Sequence, residues 1–384
     1  MVRFINIIDK NKPNEDEGHK KQSQKVNITD AIKRSQDSSV DDRSQNVSPS
    51  SEVQRRGNGR DTATYQSDQT GVDQNLKNMY DELLHHAAAV CTVLEKFKKK
   101  QTIFQEDIEP ILEKIVTTFL NNLYNDLLLR SYSYTKKDYL CAHIVNTCLL
   151  SIGFGAYLNF SKEDLIELGK CSFYHDIGMI FYRNIYRSRK KLHVWDFRPI
   201  KRHPSKSIEA LHEGLAQRVR MVISDVHERE EGQGYPKGKK GARISQWSKL
   251  IALADVFEAL THSRSYREAR TPFEAIKMII EMKTAFFEES YIKKFVEFLS
   301  IYPVGSIVHL STGDIALVIA ANNSEIISPV VKTLVNPNNP HERRQEIIDL
   351  SKDKSLYIKG PADRDEEHDV LVLFKPRGEA EVSI

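Results

Sequence analysis

Large apolar residues are nearly absent from positions 11–73, then recur at helical spacing. Leu83, Leu84, Ala87, Val90, Cys91, Leu94 and Phe97 fall three or four apart and predict one amphipathic helix, with order beginning near Leu76. A second helix is predicted from about Glu106, with Ile111, Leu112, Ile115, Phe119, Leu120 and Leu123 on its apolar face. Pro110 suits its first turn. This pair reads either as a small regulatory or dimerising unit or as the first layer of a larger bundle. From 137 to 298 the pattern is helical almost throughout. Ser161-Lys162-Glu163-Asp164 is a capping signal, and Thr271-Pro272-Phe273-Glu274 is another helix start. The period changes after Tyr302-Pro303-Val304-Gly305. Ser306 to Leu310 alternates, Thr312-Gly313-Asp314 is a turn, and 315–320, 329–335 and 370–374 read as further strands.

The predicted fold class is therefore mainly α: a helical bundle with a small C-terminal β domain and a disordered N-terminal tail. Four regions follow. Residues 1–75 cannot bury enough surface to offset their ordering entropy; the apolar run at 2–8 reads as chance ahead of a short strand or docking peptide. Residues 76–130 are helical, 131–300 form the main helical domain, and 301–384 are β-rich.

Composition narrows the picture. Hydrophobic residues make up 40% of the 384 positions, enough for a sizeable core, and the net charge of +3 does not call for a nucleic acid polymer. Cys91, Cys141, Cys148 and Cys171 sit in apolar stretches without zinc-knuckle spacing, which predicts reduced, buried thiols in a cytoplasmic protein. No apolar run is read as long enough for a membrane span. The apolar residues at 2–8 are too few for a signal peptide.

The chemistry lies in five separated fragments: His143, His175-Asp176, His203, His227 and Asp255. Imidazoles and carboxylates recurring on predicted helices can converge on divalent ions and activate water for hydrolysis. Around them stand three strings. One is Phe173-Tyr174-His175-Asp176-Ile177-Gly178. Another runs from Val226-His227-Glu228 to Gly232-Gln233-Gly234-Tyr235-Pro236. The third is Ala254-Asp255-Val256-Phe257-Glu258-Ala259-Leu260-Thr261, continuing to Arg264, Tyr266 and Arg267. With the His203-Pro204 pair, in this order, they resemble the HD-GYP family over roughly 139–286. Those proteins are bacterial metal-dependent phosphodiesterases that open cyclic di-GMP.

The resemblance implies an HD-type bundle followed by a β tail, with two divalent ions (Fe, Mn, Zn or Ni). It implies that His143, His175, Asp176 and Asp255 hold the first ion. Asp176 would bridge to a second ion held also by His203 and His227, and His175, Asp176 and Asp255 would carry catalysis. Gly234, Tyr235, Arg264 and Arg267 would contact or shape the pocket for the ligand, cyclic di-GMP or a related cyclic dinucleotide. A homodimer and a protein partner for the N-terminal tail are compatible with the pattern.

The chain departs from the family at four positions. Val226 stands where the family has the first of two consecutive histidines. Met179 replaces a phosphate-contacting lysine. Tyr139 occupies the place of a glutamate that members with three ions use, and Glu231 replaces an aspartate. Basic residues at 183–202 and at Lys237, Lys239, Lys240 and Arg243 read as a solvated face or as an attractor for an anionic ligand. Three functions stay open: hydrolysis to the linear dinucleotide, a degenerate module that binds the dinucleotide or a protein without turnover, or the same metal site acting on another nucleotide phosphate, against which the Gly234-Tyr235-Pro236 string counts.

Overall fold

A computed structural model describes residues 69–97, 108–121, 125, 127–129, 139–188, 195, 197–211, 215–264, 267–282, 285–322, 324–335, 346–363 and 366. The readings of 2–8 and of a strand at 370–374, and Leu123 and Tyr266, lie outside these residues. All described residues belong to one compact unit.

Nine helices of eight residues or more are described: α1 (Gln69–Phe97), α2 (Glu109–Leu120), α3 (Tyr139–Tyr157), α4 (Lys162–Tyr174), α5 (His203–Ala210), α6 (Gln217–Asp225), α7 (Gln246–Thr261), α8 (Pro272–Glu281) and α9 (Glu289–Leu299). The start of α1 at Gln69 precedes the expected onset of order by seven residues, through a polar stretch that carries no apolar signal. Its pairing with α2 is the first layer of the bundle, because both pack on the main helices. Tyr80 on α1 bonds Asn146 on α3 at 2.8 Å, and Lys170 on α4 bonds Glu109 on α2 at 2.7 Å.

The bundle is built around α3 and α7. Every residue of α3 from Leu140 to Gly155 is buried, and so is every residue of α7 from Trp247 to Thr261. The expectation that no apolar run reaches membrane-span length needs correction. Helix α3 has 19 residues, and an 18-residue stretch of it has a mean hydropathy of 1.4, but 89% of that stretch is buried inside the protein. A helix apolar all round is one enclosed on all sides, and here the enclosure is protein. Phe154 meets Phe295 edge-on and stacks on Phe298, both on α9, fixing that outer helix against α3.

The helix starts follow local chemistry. Ser161 accepts a hydrogen bond from the Asp164 amide, and Thr271 with Glu274 forms a reciprocal capping box with Pro272 in the first turn. Such a cap contributes about 1 kcal/mol. Beyond Ile301 the chain forms one antiparallel sheet of β1 (Ile307–Leu310), β2 (Ile315–Ala320), β3 (Val330–Val335), β4 (Ile347–Asp349) and β5 (Ile358–Pro361), in the order β4-β3-β2-β1-β5. Strands β4 and β5 escaped the sequence reading because they are short and lack alternation. Val308, Leu310, Ala316, Val318, Val331 and Leu350 form one buried cluster of the sheet. All four cysteines are free and buried, as expected.

Candidate metal centre

Six donors reach the centre from five elements, most of them where a helix starts or stops. His175 caps the C-terminus of α4, and Asp176 precedes a 3-10 turn over Ile177–Tyr182. His203 is the first residue of α5, with Pro204 behind it, and His227 follows the end of α6. His143 and Asp255 project from inside α3 and α7. Helix ends let the chain turn sharply, so His175 and Asp176, adjacent in sequence, both aim inward.

Two glycines set how closely these ends approach. A Cβ on Gly178 would lie 2.2 Å from the His203 carbonyl oxygen and 2.6 Å from the Ser207 nitrogen. The Gly178 N–H donates to Ser207 Oγ at 2.9 Å, and that hydroxyl donates to the His175 carbonyl at 2.8 Å. Only a residue without a side chain lets α5 come this near. Likewise a Cβ on Gly234 would lie 2.5 Å from the His227 carbonyl oxygen. The loop can then bond the Tyr235 amide to that carbonyl at 3.1 Å and lay the Tyr235 ring flat on His227, centroids 5.0 Å apart. Glu228 ties the far side of the loop, accepting from the Lys237 and Lys239 amides at 2.7 and 2.9 Å.

The donors form two groups. One atom from each of His143, His175, Asp176 and Asp255 lies within 4.8 Å of the others, and the same holds for Asp176, His203 and His227. Asp176 belongs to both. Its Oδ2 is 3.3 Å from His143 Nε2, while its Oδ1 is 2.8 Å from His203 Nε2 and 3.1 Å from His227 Nε2. Asp255 Oδ1 stands 3.2 Å from His143 Nε2 and 3.9 Å from His175 Nε2. All six side chains are nearly or fully buried.

The outer nitrogens explain why the inner ones face the centre. His175 Nδ1 bonds the Ser172 carbonyl at 2.6 Å, and His203 Nδ1 bonds the Ile200 carbonyl at 2.8 Å. His143 Nδ1 donates to Glu258, one turn beyond Asp255 on α7. Such partners fix a ligating imidazole with Nε2 toward the ion. Meanwhile His143 Nε2, His175 Nε2 and both Asp255 oxygens are buried without a hydrogen bond. Burying an unsatisfied polar atom costs about 1–3 kcal/mol, and four at one point suit the donor set of a divalent ion. The residues present therefore fit a metal.

Without an ion the centre is electrostatically coupled. Burial works against charge on His143, but Glu258, Asp176 and Asp255 together hold its pKa well above the ordinary imidazole value. Burial also opposes charge on Asp176, yet His175 and His203 beside it keep its carboxyl well below the usual range. His227 goes the other way. Burial first, then the neighbouring His203, push it down to about 3.

The remaining predicted residues divide. The Arg264 side chain is buried, pairing with Glu258 at 3.4 Å while its guanidinium covers the Tyr139 ring at 3.7 Å. Arg267 donates instead to carbonyls, at 2.5 Å to Ala259 and 2.7 Å to Glu268, and so caps the C-terminus of α7. Met179 packs with Tyr182, Ile185 and Ile200 in an apolar cluster. Val226 is fully buried. Lys201, in the expected basic stretch, lies 5.9 Å from the centre of the Tyr235 ring. Lys239 is engaged by Asp225 at 2.7 Å. The sequence reading singled out neither Glu258 nor His262. Their signal was spacing, since they follow Asp255 by three and seven positions on one helical stripe.

Comparison with known proteins agrees with this geometry. The HD domain family matches residues 133–289, and a KOW domain associated with HD domain matches 307–369. The chain is 27% identical to the cyclic di-GMP phosphodiesterase PA4108 of Pseudomonas aeruginosa over 285 residues, 71% of this chain and 68% of that protein. It is 23% identical to the cyclic di-GMP phosphodiesterase PdeB of Borreliella burgdorferi, covering 57% of this chain and 56% of that protein. It is 36% identical to the 3'3'-cGAMP-specific phosphodiesterase 1 of Vibrio cholerae over 107 residues, 27% of this chain and 25% of that protein. The chain thus spans about two thirds of the first of these relatives and about half or less of the other two. Among solved structures, Bd1817 of Bdellovibrio bacteriovorus, an HDG"Y"P protein, is similar at 18% identity and a TM-score of 0.49, covering 62% of this chain and 76% of that chain. Residues 133–289 thus match an HD domain and residues 307–369 a KOW domain associated with it, and the ordered motifs around the shared carboxylate resemble those of HD-GYP proteins.

Proposed function

We propose that this chain is a metal-dependent phosphodiesterase that opens cyclic di-GMP, or a related cyclic dinucleotide, to the linear dinucleotide. The observation that carries the reading is Asp176, which belongs to both donor groups from one buried position, with Oδ2 toward His143 and Oδ1 toward His203 and His227. His143, His175, Asp176 and Asp255 would hold one divalent ion, and Asp176, His203 and His227 a second. Ions held in this way supply Lewis acidity toward a phosphate oxygen and make water a better nucleophile.

The chain's own residues do the rest. Three protein donors on the second group would leave a position for water or substrate, as catalytic sites do. Tyr235, lying on His227, walls the second group. Lys201, half-buried beside that ring, offers the charge toward phosphate that Met179 does not. Relatives named for cyclic di-GMP and for 3'3'-cGAMP both support a cyclic dinucleotide. The retained Gly234-Tyr235-Pro236 turn fits that class.

The test is hydrolysis of cyclic di-GMP and 3'3'-cGAMP by purified protein supplied with Mn²⁺ or Fe²⁺, with products separated by chromatography and metal content measured in parallel. The linear dinucleotide from either substrate supports the reading. Metal-loaded protein that binds but never cleaves would establish the module without turnover.

A further inference from the structure

Behind the first donor group runs a chain of polar side chains that ends on a different helix. His143 Nδ1 donates to Glu258 Oε2. The other Glu258 oxygen, Oε1, lies 3.3 Å from His262 Nδ1, which also lies 3.1 Å from the Glu258 carbonyl. His262 Nε2 is 3.3 Å from Asn146 Nδ2, and Asn146 Oδ1 accepts from the Tyr80 hydroxyl at 2.8 Å. Asn146 is fully buried, and Tyr80 and Glu258 nearly so. Asn146 lies on α3 three residues beyond His143, but Tyr80 belongs to α1, which supplies no metal donor.

With the Asn146 amide oxygen facing Tyr80, the donors and acceptors along this chain run in one direction. The Tyr80 O–H donates to the Asn146 carbonyl oxygen. The Asn146 amide N–H can then donate only to a bare His262 Nε2, which places the His262 hydrogen on Nδ1, facing Glu258. Glu258 is thereby an acceptor toward both His262 and His143. With its Nδ1 hydrogen held by Glu258, His143 turns Nε2 toward the centre, the nitrogen that a metal would take once its proton is displaced. Each link selects the next link's tautomer or rotamer.

We propose that Tyr80, Asn146 and His262 are positioning residues for the metal centre, acting through Glu258 to hold His143 in its ligating orientation. Helix α1 is on this account part of the centre although it contributes no ligand. The inference rests on His143 being a metal donor.

The experiment uses the full chain. Tyr80→Phe removes one hydroxyl without changing ring packing. His262→Leu removes the central link, and His262→Asn keeps a donor near the Nδ1 position. Binding of Co²⁺ and Mn²⁺ is followed by titration calorimetry, and the Co²⁺ visible spectrum reports ligand geometry. Outer partners of a metal ligand typically contribute about 10- to 100-fold in affinity. His262→Leu should fall in that range, His262→Asn should recover part of it, and Tyr80→Phe should lose about threefold or more. The Co²⁺ bands should shift in Tyr80→Phe and His262→Leu, which a loss of packing alone would not cause. Melting of the metal-free proteins checks that each variant folds. A wild-type protein that binds no metal would overturn the metal centre and this proposal together. Metal-binding wild type with unchanged affinity and unchanged spectrum in Tyr80→Phe and His262→Leu would overturn the positioning role alone.

Discussion

Asp176 does more than any other residue in the centre, because it is the one side chain common to both donor groups. Replacing it by Ala removes a donor from each and leaves four imidazoles without the carboxylate that they face. Loss of an outer partner already weakens binding by about 10- to 100-fold. Asp176→Ala should exceed that, and elemental analysis of the variant should find neither ion. Retention of two ions per chain would end the bridging assignment. Lys201 gives a second test at this scale. If it supplies the phosphate contact that Met179 lacks, Lys201→Ala should lower kcat/KM for the dinucleotide about tenfold, equivalent to about 1.4 kcal/mol. Metal content should stay intact. Equal kcat/KM in variant and wild type would remove Lys201 from the site.

At the scale of elements, the second donor group depends on how closely α5 approaches the 3-10 turn that follows Asp176. That distance is set by Gly178, where an added methyl meets backbone atoms on α5 rather than a side chain that could rotate away. Gly178→Ala should therefore push α5, and His203 with it, outward. The expected cost is about 1–3 kcal/mol of stability, read as a lower denaturation midpoint, with loss of one ion while the other remains. Binding of both ions with unchanged affinity would show that α5 is not placed by this contact. Helix α7 has the complementary role. It carries Asp255 and Glu258 on one stripe, and Arg267 caps its last carbonyls. The residue expected to meet ligand thus holds a helix end.

For the whole molecule, the centre predicts opposite pH responses with and without metal. In the metal-free protein the pKa of His143 is raised because Glu258, Asp176 and Asp255 outweigh its burial. That of His175 is raised because Asp176 and Asp255 outweigh its burial. A raised folded-state pKa contributes stability that is complete below the unfolded value of about 6.5 and is lost as pH rises through the folded value. Metal binding needs those nitrogens bare, so it displaces the protons. Affinity should strengthen as pH rises above about 6.5, by up to about tenfold per pH unit for each proton displaced. Melting curves in chelator and in Mn²⁺ should therefore diverge as pH is raised from about 6.5 to 8.5. Parallel curves would mean that the imidazoles do not exchange protons for metal.

How much of this was readable in the chain depends on the range of the interaction. Helix starts at Ser161 and Thr271, the change of period after Tyr302, and the helical rows at Leu83–Leu94 and Ile111–Phe119 rest on neighbours within a few positions, so the residues alone determined them. The six candidate donors were legible because their order and flanking strings are linear patterns. What stayed hidden is set by contacts between distant segments. Helix α3 proves long and apolar enough for a bilayer, which the sequence reading missed, and its enclosure by other helices makes it a protein core. Gly178 matters because α5 passes within a methyl's width of it. Arg267 spends its charge on α7 because its chain folds back there. The bonds from Tyr80 to His262 join positions whose separation of 182 residues in sequence gives no local signal. Local propensity acts along the chain, whereas close packing and buried polar pairing act across it, and only the tertiary structure decides which distant groups meet.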